Sequence, residues 1–137
     1  ECGDAGCRHI ALAARALNKA VFLVNDNRLT REQYVMFALA DMMMYVEVAA
    51  SLARQAVAVS GANDGEAEKT RLFSRLFANE TAELVSGSIL TILRGSGVFD
   101  PDQVSAFLAE TSHAALADSY QGIIPDMDRA ADIIFDR

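Results

Sequence analysis

Tryptophan is absent from this 137-residue chain, proline occurs only twice, and cysteine and histidine twice each. Each scarcity removes a class. With so few prolines and eight glycines there is little to interrupt helices, and no segment alternates apolar and polar residues as a half-buried strand does. Two histidines far apart give no base with an orienting carboxylate, and no serine sits in a Gly-x-Ser-x-Gly setting, so nucleophilic catalysis finds no constellation. Gly95 and Gly97 follow no strand, which excludes a dinucleotide fingerprint. Lysine and arginine form no cluster and the net charge is −7, so nucleic acid is not an expected partner.

What remains is rich in alanine and leucine and long enough for one domain, 1–137, with a sizeable core. The reading is all-α: a mostly antiparallel helical bundle of four main helices plus a short C-terminal one. The first helix runs from about Gly6 to Val24, with Ile10, Leu12, Leu17, Val21 and Phe22 on its apolar face. Asn25, Asp26 and Asn27 form a turn. Thr30 with Gln33 reads as a capping box that opens a second helix, to Val59. A polar connection, Ser60 to Gly65, precedes a third helix from about Glu66 to Leu93, carrying Leu72, Phe73, Leu76, Phe77, Leu84, Ile89 and Leu93. Asp100-Pro101-Asp102-Gln103 supplies an N-cap, a proline at the first helical position and a reciprocal glutamine for a fourth helix, to about Ala117. Pro125 and Asp126 begin the last helix, with Met127, Ala130, Ile133 and Ile134 on its apolar side.

The second helix stands out, because between Tyr34 and Val59 only Asp41, Glu47 and Arg54 are charged. A helix apolar nearly all round needs enclosure by neighbours or by lipid. Carboxylates in mid-span are costly in lipid, at about 2.5–3.5 kcal/mol each on insertion scales. The expectation is therefore a buried central helix with Phe37, Met44 and Val48 out of water, Met42, Met43 and Met44 filling the core, and Asp41 and Glu47 paired with Arg54 or capping neighbouring backbone.

Metal chemistry has two candidate sets, both incomplete. The Cys-x4-Cys spacing of Cys2 and Cys7 could close a small disulfide or, with His9, supply three metal ligands, but a fourth ligand is lacking and reduced thiols are the preferred expectation. Glu110 and His113 make one Glu-x-x-His motif, with Glu47 and Glu80 as possible further carboxylates. A di-iron bundle uses two such motifs. No catalytic, cofactor-binding or metal residue is assigned. The chain starts at Glu1 with no initiator methionine and no signal-like stretch, so a segment of a longer protein is expected.

Composition ends there, but several motifs go further. Leu39-Ala40-Asp41-Met42 with Val46, Glu47, Ala49 and Leu52 resembles the central helix of the C-terminal bundle of acyl-CoA dehydrogenases. Leu76, Phe77, Ala78, Glu80 and Ala82 resemble a following helix of that family. The stretch Ile92-Leu93-Arg94-Gly95-Ser96-Gly97-Val98 looks like its flavin-contacting turn, and Tyr120-Gln121-Gly122 lies where it carries Tyr-Glu-Gly. The similarity runs from about Thr30 to the end.

The departures fall on functional positions. Thr91 and Arg94-Gly95 replace the family's glutamine and glycine pair, and Gln121 replaces the glutamate base; an amide cannot take the proton. The resemblance thus implies the extra C-terminal helical domain of the very-long-chain type, itself non-catalytic. Its parent would be a cytoplasmic, FAD-dependent enzyme that oxidises fatty acyl-CoA and passes electrons to a flavoprotein or quinone-linked chain. The implied partners are the catalytic body of the parent chain and a second copy in a homo-oligomer through the last helix, where Ile123, Ile124, Ile133, Ile134 and Phe135 exceed one narrow stripe. The implied position is over the dimer or facing a membrane surface. The alternative is a free-standing helical interaction or regulatory module without enzymatic activity.

Overall fold

A computed structural model describes residues 5–59 and 65–135, and these are predominantly helical, with no strand among them. Six α-helices follow in order: α1 (Cys7–Asp26), α2 (Gln33–Ala58), α3 (Gly65–Gly95), α4 (Pro101–Glu110), α5 (His113–Ala117) and α6 (Ile123–Phe135). Short 3-10 turns occupy Leu29–Arg31 and Asp118–Tyr120. The all-α expectation holds. Most of the polar connection before α3, residues 60–64, lies outside the described residues.

Local signals explain most helix ends. At α4, Asp100 Oδ1 accepts from the Gln103 N–H (2.8 Å) while Gln103 Oε1 accepts from the Asp100 N–H (3.0 Å), with Pro101 as first helical residue. Both orphan donors are thus satisfied as the sequence predicts. The Thr30 cap does not form. Leu29 is buried, and drawing it inward curls Leu29–Arg31 into a 3-10 turn, so α2 starts at Gln33 with Glu32 as N-cap and no side-chain cap. Nor does the fourth helix continue to Ala117. Thr111 turns its hydroxyl back to the Phe107 carbonyl (2.9 Å) and Ser112 adopts a left-handed φ of 53°, which ends α4 and restarts the chain as α5.

The central helix is α3, the longest at 31 residues. It packs against α1, α2, α5, α6 and the 118–120 turn. Its inward residues Leu72, Ala78, Ala82, Val85, Ile89, Ile92 and Leu93 are buried, whereas Phe73, Leu76, Phe77 and Leu84 are half-buried. Tyr45 of α2 stacks on Phe77 with ring centroids 5.4 Å apart. Residues of α1, α2 and α3, joined by Val104, Phe107 and Leu116, make the main core, and Ile10, Ala49, Ala53 and Ala78 a second one. The head of α1 lies against residues 74–78 of α3, whereas the start of α2 lies beside the end of α3, giving an up-down-up arrangement.

Alanines do much of the close packing. In α1 the buried positions are Ile10, Ala13, Ala16, Ala20 and Val24, while Val21 and Phe22, expected on the inner face, point to solvent. Small side chains let helix axes approach, so α1 needs little side-chain bulk on its inner face. The approach is closest at Gly6, with φ 81°: a Cβ there would stand 2.5 Å from that of Ala78. Beside it the Ser74 hydroxyl donates to the Ala5 carbonyl (2.7 Å).

The expectation that α2 is the buried centre is overturned. Phe37 is 60% exposed, Met44 55% and Val48 42%, whereas Met42 is fully buried. One seam of α2 suffices to cover α1 and α3, and the rest has no neighbour among the described residues. Accordingly, Met44→Asp should change unfolding free energy by less than about 0.5 kcal/mol, as exposed substitutions do. Leu93→Asp, which buries a charge, should cost more than about 4 kcal/mol. Urea unfolding of the two variants checks this, and equal losses would return α2 to the centre.

Candidate docking surface

The inward positions of α2 are Val35, Leu39, Met42, Val46, Ala49, Ala53 and Ala56, buried apart from half-buried Val46. They alternate steps of four and three, the spacing of a seam that packs along another helix. On the opposite side Tyr34, Phe37, Asp41, Met44, Val48, Ser51 and Gln55 repeat the alternation, and every one is exposed. Here is the site that sequence reasoning missed. The available signal was the second seam: a helix with two rows at heptad spacing has two surfaces suited to a neighbour.

Exposed Met36, Met43 and Val57 extend this apolar surface toward α1, where Val21 and Phe22 are also exposed. Farther along, between the start of α1 and the end of α2, lies a groove of about 430 Å³ lined by Ile10, Ala11, Ala14, Ala50, Ala53 and Val57. Its lining is almost wholly apolar. Monomers seldom expose contiguous apolar surface of this extent without a use for it. Among the described residues, α2 is also the one helix long and apolar enough to cross a membrane.

The charges on this surface differ in their pairing. Glu47 accepts from Arg54 (3.3 Å) two turns on, as expected, but the pair is exposed rather than buried. Asp41 is exposed, with no ion pair or hydrogen bond of its side chain among the described residues.

A second outward apolar face belongs to α6. Ile124, Met127, Ile134 and Phe135 are exposed, Ile123 and Ile133 half-buried, and only Ala130 is buried. The helix is fastened through charge: Arg75 grips Asp126 with two hydrogen bonds (2.6 and 2.7 Å), and Arg129 grips Glu68. The partly buried Arg75–Asp126 fork is the stronger tie, because bidentate geometry and reduced solvent screening favour it.

The candidate chemical residues are dispersed. Glu110 bonds Lys19 of α1 (2.8 Å), a contact that with the lysine's charge holds its carboxyl below the ordinary range. His113, beyond the α4–α5 break, places Nε2 2.9 Å from the Ser86 hydroxyl and 3.1 Å from the Ser86 carbonyl. The Glu-x-x-His pair therefore serves two different contacts, and among the described residues no carboxylate orients the Ser86–His113 pair. No group of three or more metal-ligating side chains occurs among the described residues. Cys7 is disulfide-bonded, contrary to the expected free thiol, and Cys2 lies outside the described residues. Thr91 and Gly95 line a cavity of about 370 Å³ with Leu29, Glu32, Tyr34 and Val35, and Arg94 is exposed. Gln121 is exposed beside Ser119, whose hydroxyl reaches the Asn79 carbonyl. Asn79 lies twelve residues before Thr91 on α3, about 18 Å of helix rise. Thr91 and Gln121 therefore do not converge on one site.

His9 is the group with the clearest electrostatic consequence. Partial burial, aided by the Arg8 charge, pushes its pKa below the ordinary value, against the pull of the neighbouring Asn79 amide. The Oδ1 of Asn79 is buried without a hydrogen-bond partner.

No family model, curated protein or solved structure matches this chain.

Two measurements follow from these sites. The folded state holds fewer protons on His9 than the unfolded chain, so stability should be full above about pH 6.5 and decline as pH falls to the lowered folded value. Thermal midpoints across that range check it, and His9→Gln should flatten the decline. Separately, if α6 pairs with a second copy, light scattering at high concentration should show dimers that Ile134→Glu with Phe135→Glu converts to monomers. A strictly monomeric parent would remove that role from α6.

Proposed function

We propose that this chain is a non-catalytic helical docking domain whose partner covers the outer face of α2. The observation that supports this reading is the exposed heptad-spaced row from Tyr34 to Val48, backed by the apolar groove between α1 and α2. A domain resting on a larger body keeps such a face, and isolated it leaves that face in water. The scattering of Glu110, His113, Thr91 and Gln121 over separate contacts fits a chain that holds no reaction centre of its own.

The acyl-CoA dehydrogenase resemblance supplies the first partner to test. On that reading the chain is the appended C-terminal domain of an FAD-dependent enzyme oxidising fatty acyl-CoA, and the catalytic body of that enzyme is what α2 meets. The free-standing interaction module is the other form of the same proposal, with a partner on a separate polypeptide.

Replacing Phe37 and Met44 together by glutamate should leave the thermal midpoint within a degree or two, because both side chains are exposed. The same variant should weaken association with an acyl-CoA dehydrogenase body, prepared as a separate polypeptide, by about tenfold or more, as loss of two anchors does. The chain alone should take up no FAD and reduce no dye with acyl-CoA. Flavin uptake or dye reduction would reinstate a catalytic bundle; association unaffected by the double variant would move the docking face elsewhere.

A further inference from the structure

We propose that the element seated on α2 is an amphipathic helix that brings one lysine or arginine side chain to Asp41. This rests on the docking reading above and names the chemistry of the partner. The row Tyr34, Phe37, Asp41, Met44 and Val48 steps by three and four residues, the spacing of a surface that receives another helix lengthwise. Within it Asp41 is the only charge.

Neighbours on a helix lie three and four residues away, and for Asp41 these are Phe37, Ala38, Met44 and Tyr45. None can compensate a carboxylate. In water Asp41 needs no partner; once a neighbour covers the row, its hydration is lost and an uncompensated charge opposes docking. A cation from the incoming helix reverses that penalty, and the aromatic faces of Tyr34 and Phe37 can attract it further. Glu47 imposes no such demand, because Arg54 already stands beside it.

The same charge disfavours other occupants. Two copies pairing this row about a two-fold axis within about one turn of Asp41 bring it within about two turns of its own mate, and like charges there repel. A lipid surface is met through helices whose flanks are rich in lysine and arginine, whereas the charges exposed on α2 are Asp41 and the Glu47–Arg54 pair, with no excess of cations.

The test uses the whole chain and three synthetic amphipathic helices of about three heptads, identical except for arginine, glutamine or glutamate at the middle of the apolar face. Fluorescence titration of the wild type should rank arginine about tenfold above glutamine, with glutamate weakest and the spread shrinking in salt. Asp41→Asn should bind the arginine and glutamine peptides alike, and Asp41→Lys should prefer glutamate; both variants should melt with the parent. Equal binding of the three peptides by the wild type, or a preference that survives Asp41→Asn, overturns the role of Asp41 and leaves the docking face standing. Failure of every peptide to bind, or binding only to phosphatidylcholine vesicles, overturns the helix partner and the docking reading together.

Discussion

The burial of α3 is the constraint on which the other elements depend. Its inward surface mixes Leu72, Val85, Ile89 and Leu93 with Ser74, Asn79, Thr81 and Ser86, and all of these are nearly or fully inaccessible. The apolar members give α1 and α2 something to cover. Asn79 keeps its Oδ1 unsatisfied, but other polar groups along α3 find partners that fix the remaining pieces. Ser74 holds the Ala5 carbonyl at the head of α1, Ser86 meets His113 at the start of α5, and the Asn79 carbonyl receives Ser119. A single helix therefore sets both the core and the placement of the shorter elements around it.

Much of this was legible in the sequence, but unevenly. The helix order follows from composition and periodicity, and the Asp100–Gln103 box is realised to the atom because both partners are local. The Thr30 cap failed where a distant demand, the burial of Leu29, outweighed a local one. Thr111 and Ser112 show the converse: hydroxyl and turn chemistry that interrupts a helix is weak in a pattern of apolar residues. The largest error concerned rank. The apolarity of α2 states how much surface calls for cover and says nothing about whether the cover lies in the same chain. In α3 the small residues that permit close approach read as ordinary, so the buried helix looked the more polar of the two.

The two outward apolar faces are held in different ways. The outer side of α2 is backed by a helix packed through a continuous apolar seam, so it is presented as a rigid surface. The outer side of α6 is backed by ion pairs to α3, of which Arg129–Glu68 is well exposed. Screening by salt weakens such ties, whereas it leaves apolar packing intact. The bundle thus offers one face whose geometry is insensitive to ionic strength and another whose attachment depends on it.

The bonded state of Cys7 carries a consequence for where the chain matures. Reducing compartments keep thiols unpaired by means of glutathione and thioredoxin, while secretory and periplasmic spaces let bridges persist. Residence in the cytoplasm, as the enzyme resemblance implies, would return Cys7 to a thiol. In either state the start of α1 rests on the Ser74–Ala5 hydrogen bond and the close contact of Gly6 with α3. The redox setting of the host compartment therefore decides whether the head of α1 carries a bonded sulfur or a reactive thiol.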